Sequence, residues 1–374
     1  MKIYKYHFGQ TDRRNSNVEI LRIIAMLMIV ASHYAIFTNL DPDSMPFSFN
    51  KLLLDSMGIG KLGVAIFVMI TGYYMSNSLF RIQRIVNIEL QTLFYSISIF
   101  LIFCIEDHSL FSLGNVVKNF FPVITQRYWF ISAYVILCFF IPFLNRMINN
   151  LERKECAYLL AILIFFYSVA PTFLNFDAYS FGGHISYMIM FYCVGVYVRK
   201  YPDNSLSKGK RPIILAGILV FIMFASVVCI DILAQKYDMF QGKSGKFYTV
   251  YSTVVLVIAV CLLILFTRMK IKYNSLINII GSCTLGVYLI HENNFMRTWL
   301  WETIFDNSGY QESKLLILHF VGSVIIVYSV CTGIEYIRKY ILERIVFRKF
   351  YVECYKAVDR ILLFVKRMIE VFLK

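Results

Sequence analysis

Ten apolar stretches, most of them close to the length that crosses a bilayer, limit what this chain can fold into more than any other feature. They are 18–37, 60–77, 86–105, 128–147, 156–174, 184–199, 212–233, 248–267, 274–292 and 314–334. About 20 apolar residues in a helix match a hydrocarbon core about 30 Å thick. Inside lipid every backbone N–H and C=O must find its partner within the chain, so helices are the expected element. Two of the ten are weaker: 60–77 is short, and 184–199 is short and rich in Gly and Tyr. The composition agrees. Of 374 residues, 59% are hydrophobic and 16% charged, with mean hydropathy +0.64; a soluble domain carries about 25% charged residues. The expected fold class is all-α, a polytopic membrane helix bundle of about ten transmembrane helices.

The net charge of +14 would suggest nucleic acid in a soluble protein. Here the basic residues sit mostly in short loops and at the carboxyl end, which the positive-inside rule explains without a nucleic-acid partner. With the amino terminus in the cytoplasm and each stretch crossing once, most Lys and Arg fall on that side. They include Lys2, Lys5, Arg13 and Arg14; Arg81 and Arg84; Arg146, Arg153 and Lys154; Arg199 to Arg211; and Arg268 to Lys272. Both termini are then cytoplasmic. The expected organisation is a cytoplasmic segment 1–17, a membrane domain 18–334 and a basic tail 335–374. The amino-terminal segment lacks a small-residue cleavage pattern, so the first stretch is expected to stay as a helix. The tail alternates basic and apolar residues and reads as an amphipathic helix on anionic membrane lipid, or else as a homodimer contact. The nine cysteines are scattered, with no CxxC pair. They read as small apolar packing residues, and neither a disulfide nor a metal site is expected.

With no soluble catalytic segment in view, any chemistry must lie in or at the membrane. Ionisable residues there are expensive and are functional candidates. Arg22 and His33 are eleven residues apart, three helical turns, and so share one face about 16 Å apart along the axis. Glu19 is three residues before Arg22 and can pair with it; its expected role is to fix that arginine. His33 is either a functional imidazole or a hydrogen-bonding group between helices. Arg81 and Arg84, in R-x-x-R spacing, present guanidiniums suited to phosphate, or simply obey topology. The segment GSCTLGVYLIHENN, 281–294, puts His291 at a depth like that of His33, followed by Glu292; two such imidazoles can share proton transfer. Tyr128, Trp129 and His184 read as interfacial residues.

Taken together these motifs resemble the acyltransferase-3 family of integral-membrane acyltransferases, in the form without an appended SGNH hydrolase-like domain. The matching segments are N-S-N-V-E-I-L-R-I-I-A at 15–25, Arg22-x10-His33, I-F-V-M-I-T-G-Y at 66–73 with R-I-Q-R at 81–84, Y-W-F-I-S-A-Y at 128–134 and L-G-V-Y-L-I-H at 285–291. Thr71 stands where the family often has Ser. The resemblance implies transfer of an acyl group, usually acetyl from acetyl-CoA, to a hydroxyl of a cell-surface polysaccharide or its lipid-linked precursor in the bacterial plasma membrane. It implies His33 as the key catalytic residue and Arg22, Arg81 and Arg84 on the donor-binding side; the residue reading adds His291, for its matching depth, and Glu19, as the partner of Arg22, to the catalytic candidates. Either His33 deprotonates the acceptor hydroxyl, or it first accepts the acyl group itself. Two competing readings stand beside this one. A transporter of glycan or ions would use His33 for coupling, although no matched pair of broken helices shows in the sequence; an accessory subunit would use it for neither.

Overall fold

The structure, a computed structural model, describes residues 15–78, 81–174, 183–343 and 348–372. Helices form its regular elements, and no strand occurs among these residues. The first half contains α1 Ser16–Ile36, α2 Phe49–Asp55, α3 Gly60–Met75, α4 Ile82–Glu106, α5 Leu113–Phe120, α6 Trp129–Asn150, α7 Arg153–Ile164 and α8 Ala170–Phe173. The second contains α9 Gly183–Lys200, α10 Arg211–Ala234, α11 Thr253–Arg268, α12 Ser275–Ser282, α13 Thr284–His291, α14 Asn294–Thr298, α15 Leu316–Ile337 and α16 Arg348–Phe372. Residues Lys2 to Arg14 of the expected cytoplasmic segment, and 344–347 of the tail, lie outside the described residues.

Eight segments among the described residues are long and apolar enough to cross a membrane. They coincide with eight of the ten expected stretches. The other two have a different form. Stretch 184–199 is α9, an 18-residue helix most of whose residues are buried in protein. Stretch 274–292 is two short helices, α12 and α13, that meet at Cys283. At this joint the Cys283 N–H reaches back three residues to the Ile280 carbonyl at 3.0 Å. Ser282 Oγ donates to the Ile279 carbonyl at 2.7 Å and Thr284 Oγ1 to the Gly281 carbonyl at 3.0 Å. Side-chain hydroxyls thus cover carbonyls at the break, which is how irregular backbone survives away from water.

Helices α1, α3, α9 and α11 form the centre. Between α3 and α9, Gly72 lies against the Tyr192 carbonyl and Gly195 against the Met69 carbonyl, so close that a Cβ at either would strike a backbone oxygen. Lipid gives no hydrophobic push between helices, and such small residues let backbones come within van der Waals reach instead. At the rim, α10 exposes Ile213, Ile214, Ile218 and Phe221, a surface suited to lipid rather than water.

Polar contacts pin both ends of α1. At its start Asn17 Nδ2 donates to the Met269 carbonyl, Asn17 Oδ1 accepts from Ile271 N at 3.0 Å, and Ser16 Oγ accepts from Asn274 N at 2.9 Å. At its end Tyr34 OH meets His319 Nδ1 at 2.8 Å, and the Tyr34 carbonyl accepts from Asn307 Nδ2 at 2.9 Å. The register of α1 in the bundle is therefore set at both ends. Helix α15 runs past the expected boundary at 334 to Ile337, and a π-helical turn, Arg338–Leu342, continues it. Helix α16 returns to α4, where Tyr355 OH bonds Asn87. Further along, it exposes Ile361, Leu363 and Phe364.

Candidate active site

One cavity of about 460 Å³ runs along α1. Arg22, Met26, Ile29, His33 and Ile36 form its α1 wall, which corresponds to about 21 Å of helix axis. The shared face expected for Arg22 and His33 is thus the face that lines this space. The two ends of the cavity differ chemically.

At the His33 end three ionisable side chains converge. His33 Nδ1 is 2.9 Å from His291 Nε2 and 3.3 Å from Glu292 Oε2. Their side chains are nearly enclosed: His291 is fully buried, and those of His33 and Glu292 are 12% and 5% exposed. The sequence suggested that the two imidazoles share a depth; the bundle brings them into hydrogen-bond contact. The network also fixes their tautomers. His291 Nδ1 is 2.5 Å from the Val287 carbonyl, which can only accept, so this nitrogen carries the proton. A neutral His291 then has its lone pair on Nε2. His33 Nδ1 must donate to it, and the Glu292 carboxylate beside that same nitrogen agrees. The remaining His33 nitrogen, Nε2, keeps a bare lone pair and has no hydrogen-bond partner among the described residues. This is the arrangement of a general base held by a carboxylate.

The turn that presents His291 and Glu292 has its own supports. Asn293 is fully buried. Its Oδ1 accepts from Phe295 N at 3.0 Å, and its Nδ2 donates to Tyr128 OH at 2.8 Å. Tyr128 OH in turn donates to the Leu289 carbonyl at 3.1 Å. Tyr128 is fully buried and is not the interfacial residue expected; it braces the end of α13. Trp129 likewise lines the cavity, packed against His184 with ring centroids 4.5 Å apart and the rings tilted by 36°. Both departures have one cause: the start of α6 faces α13 and the cavity rather than the bilayer rim. The signal available in sequence was the polar run His-Glu-Asn-Asn at the end of an apolar stretch. Beyond Glu292, Arg297 NH1 stands 3.9 Å from Oε1.

At the Arg22 end, Arg22 NH1 donates to Glu19 Oε1 at 2.6 Å. Glu19 is buried under Gly281 of α12, where no larger residue would fit over its carboxylate. The same Glu-x-x-Arg spacing recurs at 335–338, within what the sequence assigned to membrane boundary and tail. Arg338 donates to both Glu335 oxygens at 2.8 Å and to Glu343 at 3.2 Å. Glu335 also accepts from Tyr95 OH at 2.7 Å and Gln91 at 3.1 Å. Arg338 and Lys339 line the cavity with Arg22, and sequence reasoning missed them. Arg81 and Arg84 do not line it. They border a separate hollow of about 40 Å³ that shares Ile88 and Tyr134 with the main cavity, and Arg84 donates to Ser78 Oγ at 3.2 Å. Between the ends, Thr71 meets Tyr134 OH at 3.2 Å. Among the described residues no three His, Cys, Asp or Glu side chains converge as a metal site requires.

A long cavity with a positioned imidazole at one end and guanidiniums at the other suits the joining of two substrates across a bilayer. Comparison with known families decides the class. The family model described as an acyltransferase domain, acyltransferase-3, matches residues 15–336. The chain belongs to the acyltransferase-3 family. It is therefore an acyltransferase of multi-pass membrane type, and the matched range contains every candidate side chain described except Lys339, Arg338 and Glu343. No curated protein and no solved structure matches the chain.

Proposed function

We propose that this acyltransferase moves an acetyl group from acetyl-CoA to a hydroxyl of a cell-surface polysaccharide, or of its lipid-linked precursor, in a bacterial plasma membrane. The observation that carries the reading is the bare Nε2 of His33, left unprotonated by the chain Val287 carbonyl, His291, His33 and backed by Glu292. A sugar hydroxyl attacks a thioester only as its proton leaves, and a neutral imidazole is suited to take it. In this scheme His33 Nε2 takes the hydroxyl proton as the oxygen attacks the thioester carbonyl. The tetrahedral intermediate collapses, the C–S bond breaks, and the proton passes from His33 to the leaving CoA sulfur. Glu292 stabilises the imidazolium that exists between those steps, and His291 holds the ring in its productive tautomer.

The donor enters from the Arg22 end, taken as the cytoplasmic side on the basic-loop pattern. Arg22, held by Glu19, together with Arg338, held by Glu335 and Glu343, and Lys339 offers N–H donors to the nucleotide phosphates. Arg81 and Arg84 add two guanidiniums in the adjoining hollow. The thioester then threads along α1 toward His33, and the acceptor waits at that end.

The test is an assay of purified protein in lipid nanodiscs with radiolabelled acetyl-CoA and fractionated bacterial surface glycans. The expected product is alkali-labile label on glycan. Flux of glycan into sealed vesicles with no ester formed would favour transport instead. Labelled protein trapped without acceptor, with the label absent in His33→Ala, would show that the acyl group passes through His33 covalently.

A further inference from the structure

The His33 end of the cavity holds a positive charge that the transfer scheme leaves unused. Lys61, in the first turn of α3, lines the cavity there with His33, Ile36 and Trp129. Its Nζ lies 5.8 Å from the centroid of the Trp129 ring. It makes no hydrogen bond and no ion pair among the described residues. The carboxylate in its neighbourhood, Glu292, is already bracketed by His33 Nδ1 at 3.3 Å and Arg297 NH1 at 3.9 Å. An ammonium half withdrawn from water with no direct ion pair, and only the shared Glu292 carboxylate in its neighbourhood, is costly. Here it faces open space beside the candidate base, where an anion can meet it.

Trp129 supplies the second element. Its indole packs against His184, with centroids 4.5 Å apart and a tilt of 36°, and makes an edge contact with Phe130 at 5.9 Å and 86°. A fixed aromatic ring in a cavity wall offers a flat apolar platform to the C–H face of a sugar ring. Platform, ammonium and base therefore stand on one stretch of wall.

We propose that Lys61 and Trp129 form a subsite for an acidic sugar unit of the acceptor. Its ring lies on Trp129 and its carboxylate or phosphate meets Lys61, which brings a hydroxyl to His33 Nε2. The inference rests on the reading of the chain as a glycan acyltransferase and adds the charge class of the glycan. It makes Lys61 a specificity residue whose contribution depends on the charge of the acceptor.

The experiment pairs acidic oligosaccharides with neutral counterparts of the same skeleton. One arm uses a hexuronate-containing oligosaccharide and its carboxyl-reduced form. The other uses a phosphate-substituted oligosaccharide and its dephosphorylated form. One partly screened charge pair corresponds to about tenfold in affinity. Wild-type protein should show a KM about tenfold lower for at least one acidic acceptor than for its neutral form, and the arm that responds names the anion. Lys61→Gln should raise the acidic KM to the neutral value, and Lys61→Arg should retain most of the preference. Equal KM values for acidic and neutral acceptors in wild type would overturn the proposal. So would a kcat loss of equal size on both acceptors in Lys61→Gln, which would assign Lys61 to the transition state. Equilibrium binding of the same oligosaccharides without donor gives a separate readout. If no glycan is acylated at all, the transfer reading fails. In that case acid-selective binding lost in Lys61→Gln would still support the subsite, and its absence would overturn it.

Discussion

Replacing Glu292 by Gln isolates the charge behind the base while keeping size and a hydrogen-bonding group. In wild type the carboxylate Oε2 stands 3.3 Å from His33 Nδ1 with a side chain only 5% exposed. When His33 takes a proton, an imidazolium forms beside a fixed negative charge. Two unit charges about 4 Å apart interact by about 4 kcal/mol at an effective dielectric of about 20. Arg297, 3.9 Å from the other carboxylate oxygen, withdraws part of that, so about 2–4 kcal/mol remains for the transition state. At 1.36 kcal/mol per decade this is a fall in kcat of about 30- to 1,000-fold. Donor KM should hardly move, because Glu292 is at the far end of the cavity from Arg22. The assay is steady-state acetyl transfer in nanodiscs, with thermal unfolding as a control for folding. A Glu292→Gln enzyme within about threefold of wild type in kcat would refute the assignment of this carboxylate.

Three further outcomes follow from the same geometry. Arg338→Gln leaves Glu335 buried with its bidentate partner gone and should cost about 3–5 kcal/mol, read as a lowered unfolding temperature in detergent; Glu335→Gln in the same chain should recover most of it. His291→Phe removes the acceptor that holds His33 Nδ1 and should lower kcat about 10- to 100-fold at little change in KM; a wild-type kcat would show that the tautomer is set elsewhere. Gly72→Leu forces a side chain into the Tyr192 carbonyl and should destabilise the α3–α9 pair by at least about 1–3 kcal/mol, seen in the same unfolding scan, whereas Gly217→Ala on open α10 surface should not.

Much of this arrangement was legible in the chain. Eight of the ten expected helix positions, the common face of Arg22 and His33, the Glu19–Arg22 pair and the similar depth of His33 and His291 all follow from helical period and apolar length. These are properties of one helix, or of its depth, and period and length encode them. What was not legible concerns relations between helices. Lipid and protein interior are both apolar, so hydropathy does not tell which face of α6 turns inward, and Tyr128 read as interfacial although it braces α13. The joint at Cys283 was hidden because Ser282 and Thr284 hydroxyls replace ladder bonds without any Pro to mark it. Arg338 read as part of a basic tail because charge density rises at that point, although Glu335-x-x-Arg338 repeats the spacing of Glu19-x-x-Arg22. Arg81 and Arg84 sit in R-x-x-R spacing, yet the approach of Ile88 and Tyr134 separates their hollow from the main cavity.

The account turns on His33 as the group that activates the acceptor hydroxyl. The direct measurement is single-turnover acetyl transfer by His33→Ala in nanodiscs, run beside wild type with saturating acetyl-CoA and acceptor, together with donor binding to each. The account predicts loss of transfer by a factor of at least about 1,000, the upper range of a general base, with donor affinity unchanged because Arg22, Arg338 and Lys339, the cations assigned to the donor, lie at the other end of the cavity. Transfer at the wild-type rate by His33→Ala would contradict it.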